Sequence, residues 1–288
     1  MICSTHQDGN WLMHETQAGV PEPLSQFRLD GRVAFLSGAT GHLGKSMAKA
    51  LSAAGAHVVL NARHQDALEV FAAELINGGH QASIACFDIT DESAAKAQIA
   101  NIGEKHGRLD IIVNNASSGR PGSIESATAE DFHQIYRVNV IAAFQLLQLS
   151  LPLLKESGKR TPGGASVVNI ASMYGSVSPD PSIYGTSGAN NPPSYGAAKA
   201  GLIQLTRYAA CQLASDRIRV NSISPGPFPP AQFLKRDPEF GARLSAKVPM
   251  RRLGDPRELQ GPLLFLASDA SSYVTGANLV VDGGWTAW

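Results

Sequence analysis

Tyr195 and Lys199 stand four residues apart in Tyr195-Gly196-Ala197-Ala198-Lys199. On a helix that spacing puts a phenol and an ammonium on one face, a turn from each other. A free phenol has a pKa of about 10 and is a poor base near neutrality. A neighbouring ammonium favours the phenolate, which predicts a Tyr195 pKa drawn down toward the working range. Such a pair can exchange a proton with an alcohol or a ketone. Tyrosine and lysine also recur at this spacing on many half-exposed helices, so the pair takes its meaning from the segments around it.

Three segments agree with it. Ser37-Gly38-Ala39-Thr40-Gly41-His42-Leu43-Gly44 follows the apolar run Val33–Leu36 and precedes a helical pattern with Met47, Ala50 and Leu51 at core spacing. Strand, glycine turn and helix are the context in which such glycines bind a dinucleotide. Gly38 permits the turn, Gly41 a close approach to a pyrophosphate, and Gly44 tight packing of helix on strand. N–H groups at the helix start then face the phosphate charge; a turn without a ligand is the plain alternative. Leu109–Asn114 is an apolar strand running into the amides Asn114 and Asn115, and Ala165–Ala171 is another that ends at Ser172. Parallel strands covered on both faces look like this, and ligands gather at their carboxyl ends. Ser172 on its own reads as a turn cap.

The elements that must hold these residues alternate along the chain. Strands are expected at Val33–Ser37, His57–Asn61, Ala82–Cys86, Leu109–Asn114, Ala165–Ala171, Arg219–Ser224 and Asn278–Val281. Helices are expected at Lys45–Ala54, Gln65–Asn77, Glu92–His106, Phe132–Leu154, Tyr195–Ser215 and Pro256–Leu266. The pattern is that of a single α/β domain, a doubly wound parallel sheet of about seven strands with helices on both faces. Residues 1–26 mix polar residues, glycine and proline without apolar periodicity, and are expected to form a flexible arm before a catalytic domain over 27–288. At 288 residues and 43% hydrophobic, the chain can bury a large core in one domain.

The glycine turn, Asn114-Asn115-Ala116, Ser172, Tyr195 with Lys199, and Pro225-Gly226 occur in the order found in the short-chain dehydrogenases/reductases. From about Phe27 to Trp285 the chain resembles that family, in its compact branch, and is similar to the gluconate 5-dehydrogenase group acting on sugars, sugar acids and polyols. The resemblance implies an oxidoreductase in which Tyr195 exchanges the substrate proton. Ser172 would hydrogen-bond the substrate oxygen, Lys199 would bind the nicotinamide ribose, and Asn139 would position a water in the proton relay. Asn139 has a plainer alternative, an amide satisfying a bend in a long helix. For the cofactor the resemblance points to Ser37, Gly38, Thr40, Gly41, His42, Leu43 and Gly44 in the turn. It also points to Asp88 and Ile89 at the adenine, Asn114 and Ala116 near the ribose, and Pro225 and Gly226. Compact members usually carry Gly-x-x-x-Gly-x-Gly; here the spacing is Gly-x-x-Gly-x-x-Gly, as in the extended branch, with His42 in the middle glycine position. Val274-Thr275-Gly276 and Asp282-Gly283-Gly284, with no large substrate domain after them, favour the compact branch.

NAD sites usually carry an acidic residue about twenty residues beyond the glycines, on the ribose hydroxyls. Here Asn61, Ala62 and Arg63 stand in that region. The missing carboxylate removes repulsion toward a 2′-phosphate, and an arginine can fork it. NADP(H) is therefore expected, with NAD(H) as the alternative.

Family members separate the serine and tyrosine by about a dozen positions, whereas Ser172 and Tyr195 are 23 apart. Tyr184 stands at the usual distance, but four residues on is Gly188 rather than lysine, so Tyr195 is the expected acid–base. The extra segment, 180–193, is rich in Pro, Gly and Asn and predicts a loop at the rim of the substrate pocket, its hydroxyls and amides suited to a polyhydroxylated ligand; a loop that only lengthens the turn is the plain alternative. By resemblance, residues 227–252 form a lid over the substrate. The resemblance also implies that the aromatic end Trp285–Trp288 approaches a neighbouring subunit's pocket and that the long helices pack in a homotetramer. A 3-oxoacyl thioester reductase shares these motifs and would need an apolar channel and a basic patch for an acyl carrier. Arg251, Arg252 and Arg257 are candidates, with a solvated face as the plain alternative. A cofactor-binding regulator without turnover is disfavoured by the full set Asn139, Ser172, Tyr195 and Lys199.

The charge balance, 24 basic against 24 acidic side chains without a basic cluster, gives no support to a nucleic-acid role. Cys3, Cys86 and Cys211 are too scattered for a disulfide framework or a zinc site. No signal peptide and no membrane-length apolar segment is expected, which makes a cytoplasmic protein acting on a small molecule the expectation.

Overall fold

Apolar runs closed by turn residues form the centre of the sheet, because helices on both faces exclude water from them. β1 (Val33–Leu36), β4 (Ile111–Asn114), β5 (Ala165–Ile170) and β6 (Ile218–Pro225) are buried along their whole length. β2 (His57–Ala62), β3 (Ala82–Cys86) and β7 (Asn278–Val281) complete seven parallel strands in the order β3-β2-β1-β4-β5-β6-β7. The order reverses between β1 and β4, where open sheets of this kind leave a crevice at their carboxyl ends. The computed structural model describes residues 22–185 and 190–288.

Alternation along β1 divides the interior in two. Ala34 and Leu36 face a core built with Met47, Leu51, Leu60 and Leu68, while Val33 and Phe35 face one built with Ile99, Ile112, Leu146 and Val167. The helices before β5 are α1 (His42–Ala53), α2 (Gln65–Asn77), α3 (Glu92–His106), α4 (Ala129–Tyr136) and α5 (Ala142–Arg160), and all but α4 supply these residues. They are followed by α6 (Pro193–Leu213), α7 (Ala231–Arg236), α8 (Pro238–Lys247) and α9 (Gln260–Ala267). A third, smaller core joins Met173, Ile183 and Tyr184 to Leu244, Val248 and Trp285, so the segment preceding α6 packs against the lid region and the end of the chain.

Differences from the expected elements have local causes. The helix expected over Phe132–Leu154 runs from Ala129 to Arg160, started by a capping box between Thr128 and Asp131 and interrupted by one wider turn at Arg137–Ile141. By length and composition alone this run is long and apolar enough to cross a membrane, contrary to the expectation of no such segment. Its inner residues Leu146, Leu147 and Leu154 pack on the sheet, the position of a core helix. Two helices, α7 and α8, occupy the Pro-rich 227–252 segment where none was expected; the Asp237 carboxylate caps α8 by accepting the Phe240 N–H at 2.9 Å. The expected arm reaches into a described turn, Pro23–Phe27.

A buried chain of amides links the strands to the helix that carries Tyr195. Asn114 Nδ2 donates to Asn169 Oδ1, Asn169 Nδ2 to Thr206 Oγ1, and Thr206 Oγ1 to the Leu202 carbonyl, each at 2.8 Å. This ties β4, β5 and α6 together from inside. Asn169→Ala leaves both neighbours short of a partner and is expected to cost about 2–3 kcal/mol, measurable as a lower urea midpoint at unchanged slope.

Candidate active site

A cavity of about 1100 Å³ opens at the carboxyl ends of the strands and takes in the glycine turn, the ends of β2 and β5, the first turn of α6 and the lid helices. At one end the wall is main chain. Gly38 sits at φ +63°, and a carbon added to it would press on Ala116 Cα and Asn115 Nδ2, both at 3.0 Å. A carbon on Gly44 would overlap the Gly38 carbonyl oxygen. Gly41 is the extended residue before α1 and no side chain caps that helix, so its first N–H groups remain available to an anion. Thr40, Gly41, His42 and Leu43 line this end. These features fit a dinucleotide's phosphates.

Asn115, which was not singled out as a site residue, holds the turn in shape. Its Nδ2 donates to the carbonyls of Ser37 and Gly38, both at 3.0 Å. Ser37 Oγ accepts the Asn115 and Ala116 N–H groups at 2.9 and 3.0 Å. Ser37 and Asn114 therefore stand behind the wall as supports, while Ala116 faces the cavity. Asn61 lines the cavity, but its amide is spent on the Ala85 and Phe87 carbonyls at 3.0 and 3.1 Å. Arg63 is 71% exposed, with its guanidinium 4.0 Å from the Asp88 carboxylate. That carboxylate accepts the Thr90 N–H and hydroxyl, and these bonds hold it below its usual range. Asp88, Ile89, Pro225 and Gly226 all line the cavity.

At the other end the sheet and α6 bring the proposed reacting groups together. Ser172 follows the end of β5 and caps a short helical turn, its Oγ accepting the Tyr174 N–H at 3.1 Å. The turn-cap role and the site position thus coexist in one hydroxyl. Tyr195 lies in the first turn of α6, and the Ser172 hydroxyl stabilises its anion through a hydrogen bond. Lys199, only 2% exposed, donates from Nζ to the Ile170 carbonyl at 2.7 Å and lies 5.6 Å from the Tyr195 ring centre. Burial pushes Lys199 down to about 7. Burial also raises Tyr195 above its usual value, the Ser172 bond opposing it. The expected lysine-driven depression of Tyr195 is thus reversed: desolvation of the phenolate outweighs its stabilisation.

Asn139 sits in the wider helical turn, where its Nδ2 donates to the Ile135 carbonyl at 3.0 Å and its Oδ1 accepts the Ser117 hydroxyl at 2.8 Å. The side chain thereby satisfies the helix irregularity and fixes Ser117, which lines the cavity while Asn139 itself lies behind it. Of the inserted segment, residues 186–189, including Gly188, fall outside the described residues. The rest is a short helical turn, Pro181–Tyr184, then Asn190, Asn191 and Pro192 against the cavity. Tyr174, which has no expected role, and Tyr184, which is not the expected acid–base, line the cavity as well. Trp285 is turned into its own subunit, edge-on to Tyr174 at 6.5 Å, rather than outward, while Trp288 is exposed. Two of the three arginines of the candidate patch are paired: Arg252 forks Glu258 at 2.7 and 2.6 Å, and Arg257 forks Asp255 at 2.9 and 2.7 Å.

The Lys199 shift gives a signed prediction. Between about pH 7 and 10.5 the folded chain holds this site deprotonated while the unfolded chain holds it protonated. The unfolded state then binds more protons, so stability rises with pH across that window. Urea unfolding at pH 7, 8 and 9 is expected to show this rise in the wild type and its loss in Lys199→Met.

Residues 38–286 match the family model described as enoyl-(acyl carrier protein) reductase. The chain is 34% identical over 261 residues to the rhamnolipids biosynthesis 3-oxoacyl-[acyl-carrier-protein] reductase of Pseudomonas aeruginosa, covering 90% of this chain and 98% of that one. A short-chain type dehydrogenase/reductase from Mycobacterium marinum superposes with a TM-score of 0.81 at 33% identity, over 92% of this chain and 99% of the other. A gluconate 5-dehydrogenase from Burkholderia cenocepacia J2315, solved with NADP and tartrate, gives a TM-score of 0.83 at 30% identity, over 93% of this chain and all of that one. With its parallel sheet, bare glycine cradle and Ser172, Tyr195 and Lys199 gathered at the end of β5, the chain belongs to the short-chain dehydrogenase/reductase family, NAD(P)-binding oxidoreductases of alcohol and ketone groups.

Proposed function

We propose that the protein interconverts a secondary alcohol and a ketone of a sugar, sugar acid or polyol, using NADP(H). The observation that carries the reaction is the convergence of Ser172, Tyr195 and Lys199 on one cavity. When bound, NADP(H) supplies or accepts the hydride. Tyr195 gives its proton to the substrate oxygen in reduction and recovers it in oxidation, while Ser172 donates to the same oxygen as its charge develops. Burial keeps Tyr195 protonated at neutral pH, the form that reduction requires. Lys199 binds the ribose hydroxyls, and Asn139, through Ser117, sets the wall where the proton path leaves.

The end of β2 supports the cofactor preference, since Asn61, Ala62, Arg63 and His64 offer no carboxylate to a 2′-phosphate and one exposed guanidinium. Tyr184, Asn190 and Asn191 on the rim support a hydroxylated substrate. The second reading, reduction of a 3-oxoacyl thioester, draws support from Phe228, Phe233, Phe240 and Leu244 on the lid side. The pairing of Arg252 and Arg257 with carboxylates weakens it, because an acidic carrier would have to displace them.

One panel separates these: kcat/KM with NADPH and NADH for sugars, sugar acids, polyols and their ketones, beside an acetoacetyl thioester. The expected result is an NADPH preference of about tenfold or more with turnover of hydroxylated substrates, abolished in Tyr195→Phe with cofactor binding retained. Preference for NADH or for the thioester defeats the proposal. A cytoplasmic homotetramer completes it, supported by Ile141 and Phe144 exposed on the Ala129–Arg160 run and Tyr208 exposed on α6. Sedimentation equilibrium is expected to give four chains, and a monomer at micromolar concentration would contradict it.

A further inference from the structure

Tyr174 and Tyr184 stand on the same wall as Ser172 and Tyr195, yet the proton transfer uses neither. The Tyr174 and Tyr184 hydroxyls hydrogen-bond each other, and the Tyr184 oxygen also accepts the Asn191 main-chain N–H. Tyr195 is near enough to help hold Tyr174 in its neutral form, so the pair adjoins the reacting end of the cavity. Burial raises both phenols, and a hydroxyl kept in such surroundings needs hydrogen-bond partners.

Both rings are immobilised. Tyr184 stacks on Phe240 of α8 at 5.9 Å and 26°, and Tyr174 meets the edge of Trp285 at 82°. The segment bearing Tyr184 is gripped from the lid: Arg243 Nε donates to the Ile183 carbonyl at 2.7 Å, Arg243 Nη2 reaches Asp237 at 3.1 Å, and Lys247 pairs with Asp180. Rigid placement of this kind is what discrimination between similar ligands requires. The lid adds Phe228, Pro229, Phe233 and Leu244 to the lining. The pocket therefore combines hydroxyls beside the reacting groups with apolar side chains from the lid. Asn191 adds a buried Oδ1 that accepts no hydrogen bond among the described residues, a further sign that this corner favours a hydrogen-bond donor.

We infer that Tyr174 and Tyr184 form a specificity pair that hydrogen-bonds a second hydroxyl of the substrate, carried close to the carbon that reacts, while the lid rings cover the carbon skeleton. The inference rests on the alcohol–ketone reading above and sharpens it to a vicinally hydroxylated ketone or its reduced form. The sequence insertion before α6 thus acts on substrate choice, by carrying one phenol of the pair and fixing it to the lid.

Matched ketones test it in the intact protein with NADPH: 2-butanone against 1,3,4-trihydroxy-2-butanone, and cyclohexanone against 2-hydroxycyclohexanone. The wild type is expected to prefer the hydroxylated member of a pair in kcat/KM by about tenfold or more. Tyr184→Phe keeps the ring stack and removes only the hydroxyl, and Tyr174→Phe does the same on the other side. Each is expected to reduce that ratio by about tenfold, chiefly through KM. A purely structural role would lower both members alike and leave the ratio unchanged, which overturns the inference. A wild type that uses both members equally overturns it too and leaves the alcohol–ketone reading standing. A wild type that turns over no ketone of the panel, or only an acetoacetyl thioester, overturns both.

Discussion

The bond from the Lys199 ammonium to the Ile170 carbonyl is the constraint around which the site is arranged. It joins the second turn of α6 to the last residue of β5 at 2.7 Å, away from water. Ser172 is two residues beyond that carbonyl and Tyr195 one turn before that lysine, so a single contact sets the distance between the two hydroxyls. Burying an ammonium is costly, and the drop of Lys199 to about 7 expresses that cost. The amide chain Asn114–Asn169–Thr206 holds the same helix further along, so α6 is tied to the sheet at two places.

The same economy appears at the cofactor end. A glycine turn offers bare backbone but little rigidity of its own. Asn115 supplies the missing rigidity from β4 by donating to two of its carbonyls, and Ser37 returns the favour by accepting two N–H groups. The strands adjacent at the reversal of sheet order thereby brace the cradle between them. Its departure from the usual glycine spacing is accommodated because His42, the first residue of α1, is exposed at the cavity edge, where a side chain has room.

Much of this was legible along the chain. Apolar runs ending in Asn114 and in Ser172 located two central strands, and the lysine four residues after Tyr195 separated it from Tyr184. Capping and helix irregularity were less visible: the wider turn at Arg137–Ile141 has no strong sequence signal, yet it explains what both ends of the Asn139 amide do. The helices α7 and α8 were hidden by proline and by their small size, and the pairing of Arg252 with Glu258 appears only once a turn brings them together.

By itself, the sequence determined the sheet, the order of the motifs and the pairing of Tyr195 with Lys199 on one helix face, because these depend on periodicity and on spacing within one element. Only the tertiary structure decided the sign of the Tyr195 shift, since burial is a sum over residues distant in the chain and here exceeds the local effect of its neighbours. It also decided how the cavity wall beside Ser172 and Tyr195 is built and backed. Tyr174, Tyr184, Phe240 and Trp285 come from four separated segments, and their meeting depends on how the lid and the chain end fold over the strands.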